Sequence, residues 1–182
     1  NDPYYWLRDD TRQSRDVLAY LGAENEYANQ VLGPSKALED KLFGEMRARV
    51  KEDDASVPTF DDGYWYYARF ETGKQHPIYA RKKGTLEASE EILLDGNEQA
   101  AGHPFYIAAG LQVSRNGRLL AWADDTVGRN QFTMHVKDLQ TGELLPDTAT
   151  NIAPNFAWAN VNKTLFYVGK DPVTLRTDRV FR

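Results

Sequence analysis

One pattern recurs along most of this 182-residue chain: a polar turn, an aromatic-rich apolar run, a polar loop and a second β-rich run. The turns are Asp61-Asp62-Gly63, Arg115-Asn116-Gly117 and the stretch from Asn160 to Lys163. The runs that follow them read "YWYYA", "LLAWA" and "LFYV". Weak self-similarity at about 50 residues, with about four strands per unit, is the pattern of a β-propeller blade. Each blade is a small antiparallel sheet that buries its faces on its neighbours. A generic antiparallel sandwich has a similar strand texture, and the recurrence favours the propeller.

Two neighbouring segments sharpen this. Leu119, Leu120, Ala121, Trp122 and Ala123 run without a polar break. Phe132, Met134 and Val136 then alternate with Thr133, His135 and Lys137. An unbroken run suits a strand covered on both faces, and alternation suits one with a wetter face. Stacked blades need both kinds, and so do the centre and edge of any sheet. The expected strands are "YWYYARF", "HPIYARK", "EILLD", "RLLAWA", "QFTMHVK", "ELLP", "NFAWA", "TLFYVG" and "DRVFR", separated by turn residues such as Asp62-Gly63 and Asn116-Gly117.

Before "KEDDASVP" the period is different. In "SRDVLAYLGAENEYANQVLG", Val17, Leu18, Leu21, Ala28, Val31 and Leu32 return at three- and four-residue steps, which predicts an amphipathic helix stopped by Gly33-Pro34. Ser35 is placed to cap a second helix, "SKALEDKLFGEMRARV", striped by Leu38, Leu42, Met46 and Val50 and widened by Phe43. A short connection makes the pair a helical hairpin. The stripes exceed what two helices can hide from each other, so this segment needs a partner. The fold class is therefore mainly β, with a helical segment over 1–56 and the first blades of an incomplete propeller over 57–182.

Hydrophobic residues make up 41% and charged residues 27%, the balance of a globular chain rather than a disordered one. A net charge of -5 argues against nucleic acid as partner, since that needs a basic stripe. Without cysteine there is no disulfide and no thiolate nucleophile. No apolar run approaches a membrane span. A start at Asn-Asp-Pro and an end inside a strand-like run suggest a piece of a longer protein.

The candidate chemistry is sparse. A nucleophile elbow needs Gly-x-Ser-x-Gly, and none of Ser14, Ser35, Ser56, Ser89 or Ser114 stands in it. Ser114, in "QVSRNG", reads as the start of a turn. His76 and His103 each precede proline and read as extended, while His135 falls on the polar face of its strand; none has metal-site spacing. The pairs Asp9-Asp10, Asp53-Asp54, Asp61-Asp62 and Asp124-Asp125 read as turn chemistry, because adjacent strand residues point to opposite faces. Carboxylates lining a channel and attracting cationic peptides are the alternative. The segment "TGKQ" at 72–75 lacks the spacing of a phosphate loop. The aromatics of "YWYYARF" suit interblade core better than ligand stacking. No catalytic residue, metal ligand or cofactor is expected, and no substrate-binding residue is assigned.

The blocks "DPYYWLRDD", "YWYYARFETGKQHPIYARKKG", the run from "LLDGNEQAAGHPFYIAAGLQVSRNGRLLAWADD" to "TVGRNQFTMHVKDLQTGELLPD", and "TLFYVGKDPVTLRTDRVFR" resemble the N-terminal part of the oligopeptidase B branch of the prolyl oligopeptidase family of serine peptidases. The likeness covers almost the whole chain in family order. It implies a seven-bladed propeller that covers an α/β-hydrolase domain with a Ser-Asp-His triad, and a helical segment packed on that domain. It also implies cleavage of short peptides after Arg or Lys and a cytoplasmic location. The hydrolase positions have nothing in these residues to map onto, so this portion is expected to gate substrate and to be inactive alone. A non-catalytic propeller-type binding module is the rival reading. With open blade faces, the isolated chain is expected to self-associate.

Overall fold

The chain changes structure where its hydrophobic period changes. The computed structural model describes residues 2–182. They form two units, one up to Lys51 and one from Glu52 to Arg182.

The first unit holds helices α1 (Arg15–Leu32) and α2 (Lys36–Ala48), joined by a single 3₁₀ turn over Gly33–Ser35 with Pro34 in its first positions. Asp9 organises the approach to α1: its carboxylate accepts the Ser14 N–H at 2.6 Å and the Thr11 N–H at 3.1 Å. Ser35 does not cap α2. Its hydroxyl donates back to the Leu32 carbonyl at 2.7 Å, because Ser35 itself has helical dihedrals and leaves no extended cap position. Trp6 packs edge-on against Tyr20 at 5.2 Å. Val17 is buried, but Leu18, Leu21, Leu38, Leu42, Phe43 and Met46 all remain exposed.

The second unit contains two antiparallel sheets. In the first, β1 (Thr59–Asp61), β2 (Tyr64–Arg69), β3 (Ile78–Lys83) and β4 (Glu90–Asp95) pair in chain order. Asp62 and Gly63 both have positive φ, 42° and 84°, the requirement of the tight two-residue hairpin between β1 and β2. A short helix, α3 (Gly96–Gln99), follows, with Asp95 accepting the Asn97 N–H at 2.8 Å. The second sheet runs β5 (Ile107–Val113), β6 (Leu119–Asp125), β7 (Phe132–Asp138), β8 (Ala149–Trp158), β9 (Leu165–Lys170) and β10 (Thr177–Phe181), also in chain order.

Strand β8 serves two blades. Its start pairs with β7 (Phe132↔Ile152, Met134↔Ala149), and from Ile152 to its end it pairs with β9 (Ile152↔Gly169 to Trp158↔Leu165), with an irregularity between Ala153 and Phe156, where Pro154 cannot donate. The blade repeat is visible in backbone bonds. Ser114 N–H donates to the Leu119 carbonyl at 2.8 Å and Gly117 N–H to Ser114 at 2.7 Å. Ala159 N–H donates to Thr164 at 2.9 Å and Asn162 N–H to Ala159 at 2.9 Å. Gly117 and Asn162 occupy the same left-handed position in the two turns, with φ 72° and 58°.

Strand β6 is covered on both faces. Leu120 and Trp122 join Leu93 and Leu94 of the first sheet, while Ala123 joins Phe132, Met134 and Ile152. Strand β7 alternates buried with half-buried, as its sequence alternates. Four expectations differ from the fold. "ELLP" is not a strand: Leu144 makes one isolated bridge to Lys137, and Pro146 then stops pairing. Strand β8 begins earlier than "NFAWA". Strands β1 and β5 were not among the expected runs, the first because it is three residues long and the second because Ala and Gly dilute its β signal.

Candidate functional site

Arg81 and the His135–Asp124 pair border the seam between the two sheets, and the other candidate side chains hold turns, caps or ion pairs elsewhere. Ser114, nearly fully buried, is a turn anchor: its hydroxyl donates to Asn116 Oδ1 at 2.7 Å and accepts the Leu119 N–H at 2.9 Å. Ser56 is likewise a backbone clamp, its oxygen accepting the Ala68 N–H at 3.0 Å. Neither has a histidine as hydrogen-bond partner. Ser14 flanks α1 without a side-chain cap bond.

His135 is more engaged than a polar strand face suggests. Its Nε2 lies 3.0 Å from Asp124 Oδ1, and its ring stacks on Trp122 at 5.2 Å. Trp122 faces the first sheet, so the His135–Asp124 pair borders the seam. The Tyr106 phenol is pushed up by burial and then by the Asp124 charge. Tyr106 also meets the His76 ring edge-on at 5.7 Å. His76 is tied by its backbone to Asn97, which accepts its N–H at 3.0 Å and donates to its carbonyl at 2.9 Å. His103 N–H donates to Ala100 in the turn after α3. His135 and Asp124 form a base–orienter pair without a nucleophile.

Two of the paired carboxylates, Asp9 and Asp125, hold loops, as do Asp138 and Asp171. Asp125, almost fully buried, accepts the N–H groups of Val127 (2.8 Å), Gly128 (2.9 Å) and Asn130 (2.7 Å). Burial alone would raise its pKa, but these bonds overcome burial and hold it below the usual carboxylate range. Asp9 is held down to about 2, first by the Ser14 N–H and then by the Thr11 hydroxyl. Asp138 is lowered by the Gln140 N–H and by Arg118, and Asp171 by the Thr174 N–H. Asp62 sits in the β1–β2 turn, and Asp10 pairs with Arg8 at 3.2 Å. Asp124 is committed to His135 instead.

Arg81 was not singled out in the sequence. Its position in the middle of an apolar strand run, "PIYARK", was the available signal. It is 5% exposed, bonded through Nε to Glu91 at 2.8 Å and through Nη1 to the Gly117 carbonyl at 2.8 Å. Its guanidinium lies 4.0 Å over the Tyr64 ring. A cleft of about 510 Å³ opens beside it, lined from both sheets by residues including Tyr66, Tyr67, Tyr79, Leu111 and Leu120, with Asp61 and Asp62 also on its wall. Burial raises the Tyr66 and Tyr79 phenols, and burial with the Glu90 bond pushes Tyr67 up to about 12. Among the described residues no group of three or more His, Asp or Glu side chains could hold a metal, and no helix is long and apolar enough to cross a membrane.

The family described as prolyl oligopeptidase, N-terminal beta-propeller domain, matches residues 1–182. The chain belongs to the prolyl oligopeptidase family. It is 51% identical to dipeptidyl aminopeptidase BI of Pseudoxanthomonas mexicana, over 99% of this chain and 27% of that protein. It is 32% identical to Protease 2 of Moraxella lacunata, over 93% of this chain and 25% of that protein. Its fold superposes on oligopeptidase B from Leishmania major with a TM-score of 0.85 at 30% identity, over 98% of this chain and 26% of that one. The chain spans about a quarter of the length of these relatives. Residues 1–182 thus correspond to the N-terminal propeller portion of a family peptidase.

Proposed function

We propose that this chain forms the helical segment and first blades of a propeller that gates the active site of a serine peptidase acting on short peptides. The carrying observation is the family match along all 182 residues, together with blade-on-blade packing on both faces of β6. The triad belongs to an α/β-hydrolase domain of the same protein, which works by acyl-enzyme chemistry. The exposed stripes of α1 and α2 are the surface that docks on that domain. The compartment is the cytoplasm.

For specificity, cleavage after Arg or Lys is the first reading. It is supported by the likeness to Protease 2 and oligopeptidase B, and by a net charge of -5 that favours cationic substrates at long range. The 51% relative favours a second: an aminopeptidase of the dipeptidyl type. Full-length protein assayed on N-blocked Arg and Lys chromogenic peptides, and on chromogenic dipeptides with a free amino terminus, separates them. Turnover of only the blocked set supports the first, and turnover of only the free dipeptides supports the second. Turnover of neither, by folded full-length protein, would sink the peptidase reading. The chain of residues 1–182 alone is expected to give only the buffer rate.

A further inference from the structure

The two seams of the strand unit are built differently. Between β7 and β8 the backbone is paired, at Phe132↔Ile152 and Met134↔Ala149 with an irregularity between them, so six strands make one sheet. No strand of the sheet β1–β4 pairs with a strand of the second sheet. Across its seam the polar contacts are side chain to backbone: Arg81 Nη1 to the Gly117 carbonyl at 2.8 Å, and Lys137 Nζ to the Leu93 carbonyl at 3.3 Å. The remainder is Leu93 and Leu94 against Leu120 and Trp122, and the His76 ring edge-on to Tyr106. Clefts of about 510 Å³ lie at both seams, so cleft volume does not distinguish them. The backbone pairing does.

Arg81 is the principal bridge. On its own sheet it is held by Glu91 and by the Tyr64 ring. Its free nitrogen reaches over to a carbonyl in the β5–β6 turn. Gly117 admits this approach: a Cβ there would stand 3.2 Å from Tyr64 Cε2. The link between the sheets also divides. Gly96 and Asn97 are bonded to Pro77 and His76, which fixes α3 to the first sheet. Beyond it come Gly102, at φ 82°, and His103-Pro104, before Tyr106 enters the second sheet.

We propose that β1–β4 with α3 is a hinged leaf that opens as a unit at this seam, with Arg81 as its latch and the Gly102–Pro104 segment as its hinge. Opening breaks few polar contacts and leaves the β5–β10 ladder intact, while the detached β1–β4 sheet, its apolar face uncovered, loses its own ladder as one unit; sub-global opening follows such boundaries. It widens the tyrosine-lined cleft between the sheets. This device is independent of which peptides the protein cleaves.

Native-state hydrogen exchange on the full-length protein tests it. In low denaturant, amides of β2 and β3 are expected to exchange together through an opening that leaves β6 and β7 protected. Arg81→Gln should accelerate exchange in β2–β4 by about tenfold or more, the effect of losing a charge-assisted buried bond, with β6 and β7 unchanged. Arg81→Lys should fall between, since one ammonium cannot hold Glu91 and the Gly117 carbonyl in the same fork. Equal acceleration in both sheets, or none in either, overturns the leaf. Should Arg81→Gln not fold, the wild-type measurement decides: one shared opening free energy for β3 and β6 overturns the proposal, and two separate ones support it.

Discussion

Helix α2 and strand β6 are both rich in large apolar side chains, and they end in opposite states. In α2, Leu38, Leu42, Phe43 and Met46 stay exposed, Leu42 at 45%. In β6, Leu120, Ala121, Trp122 and Ala123 are at most 1% exposed. Propensity does not explain the difference. A helix satisfies its backbone within itself, so its hydrogen bonds do not bring in whatever covers its stripe. A central strand needs neighbours for its backbone, and those neighbours bring their side chains with them. The same ladder that pairs β6 with β5 and β7 also positions the sheets that cover its two faces.

The contrast breaks most sharply at Trp122. Trp122→Ala should cost about 3–5 kcal/mol in urea unfolding followed on the strand unit. A loss under about 1 kcal/mol would mean that the seam collapses around the gap. Next in size is Gly110→Ala. Gly110 has φ 67°, and a Cβ there would run into the Pro154 carbonyl oxygen, which belongs to the close approach of β5 and β8. More than about 2 kcal/mol is expected, because the backbone on both sides must move. A neutral substitution would show that these strands are not in rigid register.

Asp125 sharpens the comparison from the electrostatic side. Asp125, Asp138 and Asp171 are held below the ordinary carboxylate range. A depressed folded-state pKa contributes stability that is present above the unfolded value and lost as pH falls through the folded one. The melt should therefore be flat from neutral pH downwards and fall below about pH 4. Asp125→Asn sets an amide N–H₂ against backbone donors, so it should cost about 1–3 kcal/mol and make the acid loss shallower. An acid profile identical to wild type would remove Asp125 as a cause. The smallest effect is expected at Leu42→Ala in residues 1–182 alone: within about 0.5 kcal/mol on the melt, with weaker self-association in light scattering across a dilution series. A large melt shift would mean that the α2 stripe is covered in solution, and a chain that stays monomeric at all concentrations would end the self-association proposal.

The strands with strong β-branched and aromatic content were legible. "YWYYARF", "RLLAWA", "QFTMHVK" and "TLFYVG" correspond to β2, β6, β7 and β9. The period change that separates helices from strands was legible too. The alternation of Phe132, Met134 and Val136 was read correctly as one buried face. The helix cap at Ser35 was not, because a Pro-containing 3₁₀ turn kept that residue helical. Strand β5 was missed because its role is set by close approach to β8, which favours Ala and Gly over strong strand formers. His135 was assigned to a wetter face on its own alternation, and its partner Asp124 is placed beside it only by the register that puts Thr133 opposite Asp124 and His135 opposite Trp122.

Read alone, the sequence determined the class of element at most positions, the turn positions that require a left-handed residue, and the recurrence that marks blades. Those are local properties: hydrophobic period, the steric freedom of glycine and asparagine, and the turn chemistry of aspartate act within a few residues. The tertiary structure decided that β8 belongs to two blades, that Arg81 reaches across to the Gly117 carbonyl, and which apolar residues are sealed. These depend on residues far apart in the chain meeting in one register, and no local pattern encodes that geometry. Whether an apolar face is buried is a property of what stands opposite it, which is why β6 is sealed and the stripe of α2 is not.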